Sequence, residues 1–211
     1  MRAAERLIAD RGIENVSIRD IVSAAGQKNE SALQYHFKNL TGLIEEIKLA
    51  RSDQTHLKRA ELIQALHQTT TQPSVADACK LMVQPAFELA CEDKDFHCYV
   101  KAFGHELVLA NSSPSEKATA QGGGGASGKQ TAAMLKDALP HLDAEIYQQR
   151  LDAAVLLSSA SMYHQARQKN AFIGDQAQLF LQSLVDALVG VFTAPVSPET
   201  QVLTDKAKSN S

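Results

Sequence analysis

An all-α fold is predicted for this 211-residue chain by three observations. Apolar residues recur at spacings of three and four along most of its length, the period of a helix with one buried face. No segment alternates apolar and polar residues as a half-buried strand does. Ser, Asp, Asn and Gly stand where helices should start and stop. Composition agrees: hydrophobic residues make up 44%, enough for a core, while aromatics are 5% with no Trp, which favours a core rich in Leu and Ala.

The first helix is "AAERLIADRG", where Ala4, Leu7, Ile8 and Arg11 share helical spacing and Gly12 is the stop. In "NVSIRDIVSAAG", Ser17 is the predicted N-cap and Asp20 completes a capping box. Ile18, Ile21, Val22 and Ala25 form its apolar face, and Gly26 ends it. "NESALQYHF" starts at Asn29, with Ala32, Leu33, Tyr35 and His36 in its short body. The long helix "NLTGLIEEIKLARSDQTHLKRAELIQALH" is capped by Asn39 or Thr41; its stripe is Leu43, Ile44, Ile47, Leu57, Leu62, Ile63 and Leu66. "QTTTQPS" breaks it. Ser74 caps "VADACKLMVQPAFELAC", where Pro85 predicts a kink or a restart. "DFHCYVKAFGHELVLA" is followed by "NSSPSEKATAQGGGGASGK", expected as loop or frayed helix, and by the short helix "QTAAMLKDAL", stopped by Pro140. "DAEIYQQRLDAAVLLSSASMYHQARQ" and "DQAQLFLQSLVDALVGVF" are the two most apolar helices, and the second needs cover on several sides. The tail "TAPVSPETQVLTDKAKSNS" is expected to be loose.

The net charge of −3 excludes a uniformly basic coat. Residues 1–59 carry 10 Lys and Arg against 8 Asp and Glu, a net +2, and the remainder 11 against 16, a net −5, so the N-terminal part is the anion-facing one. Three cysteines, Cys79, Cys91 and Cys98, make no disulfide framework, and no secretory signal precedes them. No apolar run nears the roughly 18 residues a membrane span needs. The reading is a soluble cytoplasmic protein with reduced thiols and no membrane contact.

Ser17 to Ala25, the tight "AAGQK" turn and Asn29 to His36 lay out a helix-turn-helix, whose second helix enters the major groove of DNA. "AERLIADRGIENVSIRDIVSAAGQKNESALQYHFKNLTGLIEEI" resembles the DNA-binding domain of the tetracycline-repressor (TetR) family. The resemblance lies in "ADRG" closing the first helix, "SIRDIVSAAG", "ALQYHF" closing the recognition helix, and "TGLIEEI" opening the next. It implies a helix-turn-helix DNA-binding domain at residues 1–48, a helical ligand-binding and dimerisation domain at 49–195, and a flexible tail at 196–211. It further implies a ligand-responsive regulator, most often a repressor, that binds a palindromic double-stranded operator as a homodimer. The dimer would form through helices from about Glu145 to Arg167 and Gln176 to Phe192. The effector would be small and largely apolar, and no cofactor is expected.

Side-chain chemistry supplies the candidate contacts. Leu33 and Phe37, four apart, face the core; Asn29, Ser31, Gln34 and Tyr35 face DNA, where Asn and Gln read adenine edges. Lys28, His36 and Lys38 are placed for the phosphate backbone, as are Ser17 and Arg19. Thr41 lies at a helix N-terminus, whose amides attract phosphate. Glu30 points away. Candidate effector contacts are Met82, Phe87, Phe96, Tyr99, Phe103, Met134, Leu157 and Tyr163.

The run containing Gly123, Gly128 and Lys129 nearly spells a phosphate-binding loop, but Gln130 stands where a Ser or Thr would hold magnesium, and no strand-like residues precede it. A flexible connection, mobile over Gly122–Gly128, is expected instead. Cys91, Cys98 and His105 recur every seven residues, roughly 10.5 Å along a helix, too far apart for one zinc ion or a disulfide. No metal site is expected, and the absence of a Ser-His-Asp or paired-carboxylate pattern argues against an enzyme. Two alternatives stay open: a helical nucleotide-binding protein or enzyme built on the glycine run, and a scaffold that has lost DNA binding.

Overall fold

The computed structural model describes residues 1–27, 35–106, 113–118 and 125–209. In chain order its helices are α1 (Arg2–Arg11), a 3-10 turn (Ile13–Asn15), α2 (Ile18–Ala24), α3 (Leu40–Thr69), α4 (Val75–Glu92), α5 (Lys94–Phe103), α6 (Pro114–Ala118), α7 (Gly125–Asp137), α8 (Ala144–Ala166), α9 (Gly174–Thr193) and α10 (Pro198–Ser209). No strand occurs among the described residues. No single helix among them is long and apolar enough to cross a membrane.

Helix starts follow local chemistry. Ser17 and Asp20 form the capping box of α2, and Ser74 and Asp77 form that of α4, each pair satisfying amides that a helix leaves open. Asn39 caps α3 by accepting from the Gly42 amide at 2.8 Å. Gly12, at φ +80, turns the chain out of α1.

Two apolar cores result. The smaller gathers Ala4, Ile8, Val16, Ile21, Leu43, Ile44 and Ile47 with Ala102 and Phe103 from the end of α5. The larger is built from α4, α5 and α7 to α9, around Phe87, Phe96, Leu188 and Phe192. Half-buried Tyr99 packs against both. The N-terminal unit is therefore completed by a helix that also belongs to the body behind it.

The buried stripe of α3 differs from the expected one. Leu57 is 68% exposed, and the buried positions after Ile47 are Arg51, Ser52, Arg59 and Ile63. Charged side chains occupy an apolar seam because each has a partner across it. Arg59 shows why most clearly. Pro85 lies inside α4 and has no amide hydrogen, so the carbonyl of Leu81, four residues before it, loses its helical donor. Arg59 Nε donates to that carbonyl at 3.0 Å. The helix runs on through Pro85 and does not restart there, as the sequence alone suggested it could. Burial pushes the Arg59 guanidinium down to about 10, still well above neutral pH.

The end of the glycine run is also ordered differently from the flexible connection expected. Residues 122–124 lie outside the described residues, but Gly125 to Lys129 form the start of α7. A Cβ at Gly125 would sit 2.6 Å from the His56 ring, and φ there is +38. Buried Ser127 donates to the His56 carbonyl at 3.1 Å. Small residues let α7 lie against α3, and that contact outweighs the poor helix propensity of glycine. The tail expected to be loose is helical as α10; Thr204 is buried, and Lys208 pairs with Asp143.

Arg59→Met should destabilise the chain by about 1–3 kcal/mol, because it leaves the Leu81 carbonyl unsatisfied. Pro85→Ala restores a helical donor for that carbonyl, so the double variant should lose about 0.5 kcal/mol or more less than the sum of the singles. Urea unfolding of the four chains measures this coupling.

Candidate nucleic-acid interface

Residues 35–37 are helical, and the chain then reverses sharply into α3. Two features hold the reversal. Lys38 takes a left-handed backbone at φ +63, which costs a non-glycine residue roughly 1 kcal/mol. Gly42 lies so close to the Phe37 carbonyl that a Cβ would come within 2.1 Å of it. Phe37 packs against the small core, while Tyr35 stands 85% exposed, edge-on to the His36 ring at 5.4 Å. His36, Lys38 and Thr41 are exposed as well. One turn of chain thus presents an aromatic, an imidazole, a lysine and a hydroxyl beside the N-terminus of α3.

Ser17 and Arg19 form a second exposed edge at the start of α2. The Ser17 hydroxyl is committed to the capping box, accepting from the Asp20 amide at 3.2 Å. The Ser17 hydroxyl and amide in turn hold the Asp20 carboxyl below the usual range. Arg19 is thus the candidate at this edge whose side chain carries a positive charge. Lys28, Asn29, Ser31 and Gln34 lie outside the described residues.

The residues that fasten this unit to the body were missed in the sequence reading. Glu5 and Arg51, both buried, make a two-pronged ion pair: Arg51 Nε to Glu5 Oε1 at 2.6 Å and Nη2 to Oε2 at 2.9 Å. Arg51 Nη1 reaches Asp93 at 3.1 Å and Gln54 at 2.8 Å. Asp93 caps α5 by accepting from the Asp95 amide at 2.8 Å. Buried Asp95 takes Arg6 through Nη2 at 2.6 Å and Arg2 at 3.1 Å. At the other end of α5, Lys101 meets Asp10 at 3.1 Å, so α1 and α5 run side by side in the same direction. Above the Phe96–Tyr99–Phe103 ladder of α5, α3 places Arg51 over Phe96 at 5.5 Å and Lys48 over Phe103 at 5.9 Å. A signal was present: Arg51 stands four residues after Ile47 on the seam, and Glu5 three before Ile8.

Several proposed effector contacts are instead used in packing. Phe87 meets Phe172 edge-on and stacks on Phe180; Phe96 and Phe103 are buried in different cores. Burial raises the Tyr99 hydroxyl to about 12. Met82, Met134, Leu157 and Tyr163 are half-buried. The His105 ring lies 5.1 Å from that of Tyr163, and among the described residues its buried Nδ1 has no hydrogen-bond partner. None of the eight candidates lines the cleft at the start of α8 or the one between α1 and α2. Among the described residues no three His, Cys, Asp or Glu side chains are grouped as a metal site would require.

A helix, a tight turn with Gly26 at φ +67, and a sharp exposed reversal into a capped helix make a DNA-binding unit of helix-turn-helix type on an all-helical body. Residues 1–47 match the family model of the bacterial regulatory proteins of the tetR family. Residues 1–47 are thus a DNA-binding domain of the TetR type, which supports reading the chain as a DNA-binding transcriptional regulator. No curated protein matches it.

Lys38→Gly should relieve the left-handed strain yet remove the positive charge placed for the phosphate backbone. Thermal stability is expected to hold or rise, while DNA affinity falls and the slope of log affinity against log salt drops by about 1. Acid should loosen the clamp. Burial alone would raise the Asp93 carboxyl, but the Asp95 amide and Arg51 hold it below its usual value. A depressed carboxylate adds stability above its unfolded pKa, near 4, and that stability is lost as pH falls through the lower folded value. Urea midpoints should therefore decline below about pH 4, and Asp93→Asn should flatten that decline.

Proposed function

We propose that this regulator is a ligand-responsive repressor that binds a palindromic operator as a two-fold dimer. The observation that carries the reading is the exposed edge from Tyr35 to Thr41, held by backbone strain and a close glycine contact. Two such edges, related by a two-fold axis, would read major grooves roughly 34–36 Å apart. Gln34 and Tyr35 are assigned to base edges; Lys28, Arg19, Lys38 and Thr41 are assigned to phosphates. The DNA-binding domain is taken as residues 1–48 and the regulatory domain as 49–195, divided within α3. The protein acts in the cytoplasm.

The dimer face is assigned to α8 and α9. Ala153 and Ala160 on α8, with Leu179, Ala187 and Gly190 on α9, are exposed, Leu179 at 59%. Among the described residues nothing lies within 4 Å of the place a Cβ at Gly190 would occupy. Small residues around a large apolar one suit close pairing in a four-helix bundle. The effector is assigned to Met82, Met134, Leu157 and Tyr163, each half-buried. Its binding would favour a state whose recognition helices are wrongly spaced, lowering DNA affinity by the difference in its affinity for the two states.

A gel shift with the upstream region of the protein's own gene, with competitor DNA and a salt series, tests the reading. Specific retardation is expected, and its absence on every genomic fragment tried would leave a helical scaffold. Gln34→Ala with Tyr35→Ala should weaken specific binding about tenfold or more, since base-edge contacts contribute about 1–3 kcal/mol each, and leave the dimer intact. Leu179→Lys should shift the sedimentation coefficient to that of a monomer.

A further inference from the structure

We propose that a cleft at the N-terminal end of α8 binds a small organic acid, with Arg150 holding its carboxylate. The cleft encloses about 500 Å³ between the α7–α8 connection, the first turns of α8, and the α9–α10 connection. That is the scale of a small-molecule site. Arg150 lines it half-buried. Its Nη1 donates to the Phe192 carbonyl at 2.7 Å, in the last turn of α9. Among the described residues this is its only hydrogen bond, and it has no ion-pair partner. A guanidinium carries five donors in a planar fork, so the edge formed by Nε and Nη2 remains for a two-pronged carboxylate.

The acid already in the cleft is engaged elsewhere. Asp143 caps α8 by accepting from the Glu145 amide at 2.9 Å and pairs with Lys208 of α10. That pair fastens α10 to the rim and offsets the charge that would otherwise repel an incoming anion. His141 adds an imidazole at the exposed side. The other walls mix apolar Leu142, Ile146, Pro195 and Val196 with Thr193 and Gln201, whose side chains bond the Val189 carbonyl and Asp205. One carboxylate with a short apolar body matches this distribution. The site shares no residue with the effector group assigned above, and testing it requires no DNA.

Isothermal titration of the full chain with butanoate, octanoate and benzoate, each beside its own amide, tests the proposal. At least one carboxylate should bind saturably, and about tenfold or more tighter than its amide. Arg150→Gln keeps a donor for the Phe192 carbonyl and should weaken that carboxylate about tenfold or more. No binding by any of the three acids, or a smaller effect of the amide or of Arg150→Gln, overturns the proposal. If the glutamine variant fails to fold by circular dichroism, the contrast between acid and amide on the unaltered chain decides alone.

Discussion

The buried pair of Glu5 and Arg51 is the constraint on which the rest of the molecule depends. Two charges removed from water are tolerated only where each has its partner and the remaining donors are filled. Here the guanidinium is filled on all sides: by Glu5 from α1, by Asp93 at the start of α5, by Gln54 from its own helix and by the Phe96 ring beneath. Burial alone would lower the Arg51 pKa, but hydrogen bonding to Glu5 and Asp93 raises it. A shift in any one of α1, α3 or α5 leaves a buried charge without its partner. The three helices are therefore fastened to one another, and the N-terminal unit is held by that triple.

The same physics recurs where the triple meets the body. Arg59 lies in an otherwise apolar seam and donates to the carbonyl that Pro85 leaves without its helical amide. One irregularity on α4 thus fixes the register of α3 against it, by direction as well as area. Apolar surface alone would allow the two helices to slide by a turn. The α3 seam combines both kinds of contact: Leu43, Ile44 and Ile47 contribute burial toward the small core, and Arg51 and Arg59 fix alignment toward the larger one.

The ladder Phe96, Tyr99 and Phe103 joins the N-terminal unit to the helical body. Its rings pass from one core to the other along a single short helix, with Tyr99 touching both. Close-packed aromatic rings do not deform continuously, so the two cores are joined through α5 by contacts that fix its position. Because α1 lies along α5 and is ion-paired to both of its ends, the N-terminal unit is fastened directly to that helix.

Much of this was legible in the residues. The helix-turn-helix, the capping box of Ser17 and Asp20, the Asn39 cap, and the exposure of Tyr35 and Lys38 all rest on contacts between near neighbours in sequence. Such contacts form wherever the residues stand. Sequence alone therefore determined the all-helical class and the type of the N-terminal domain, together with the start of most helices. Tertiary structure decided what depends on a distant partner. It put Arg51 and Arg59 inside and left Leu57 outside, because Glu5, Asp93 and the Leu81 carbonyl lie across the seam. It made helix of Gly125 to Lys129, because glycine next to His56 allows an approach no other residue would. It ordered the tail as α10, with Thr204 buried and Lys208 meeting Asp143. In each case a local preference was overruled by burial or by a charge from another part of the chain, and neither can be seen until the chain has folded.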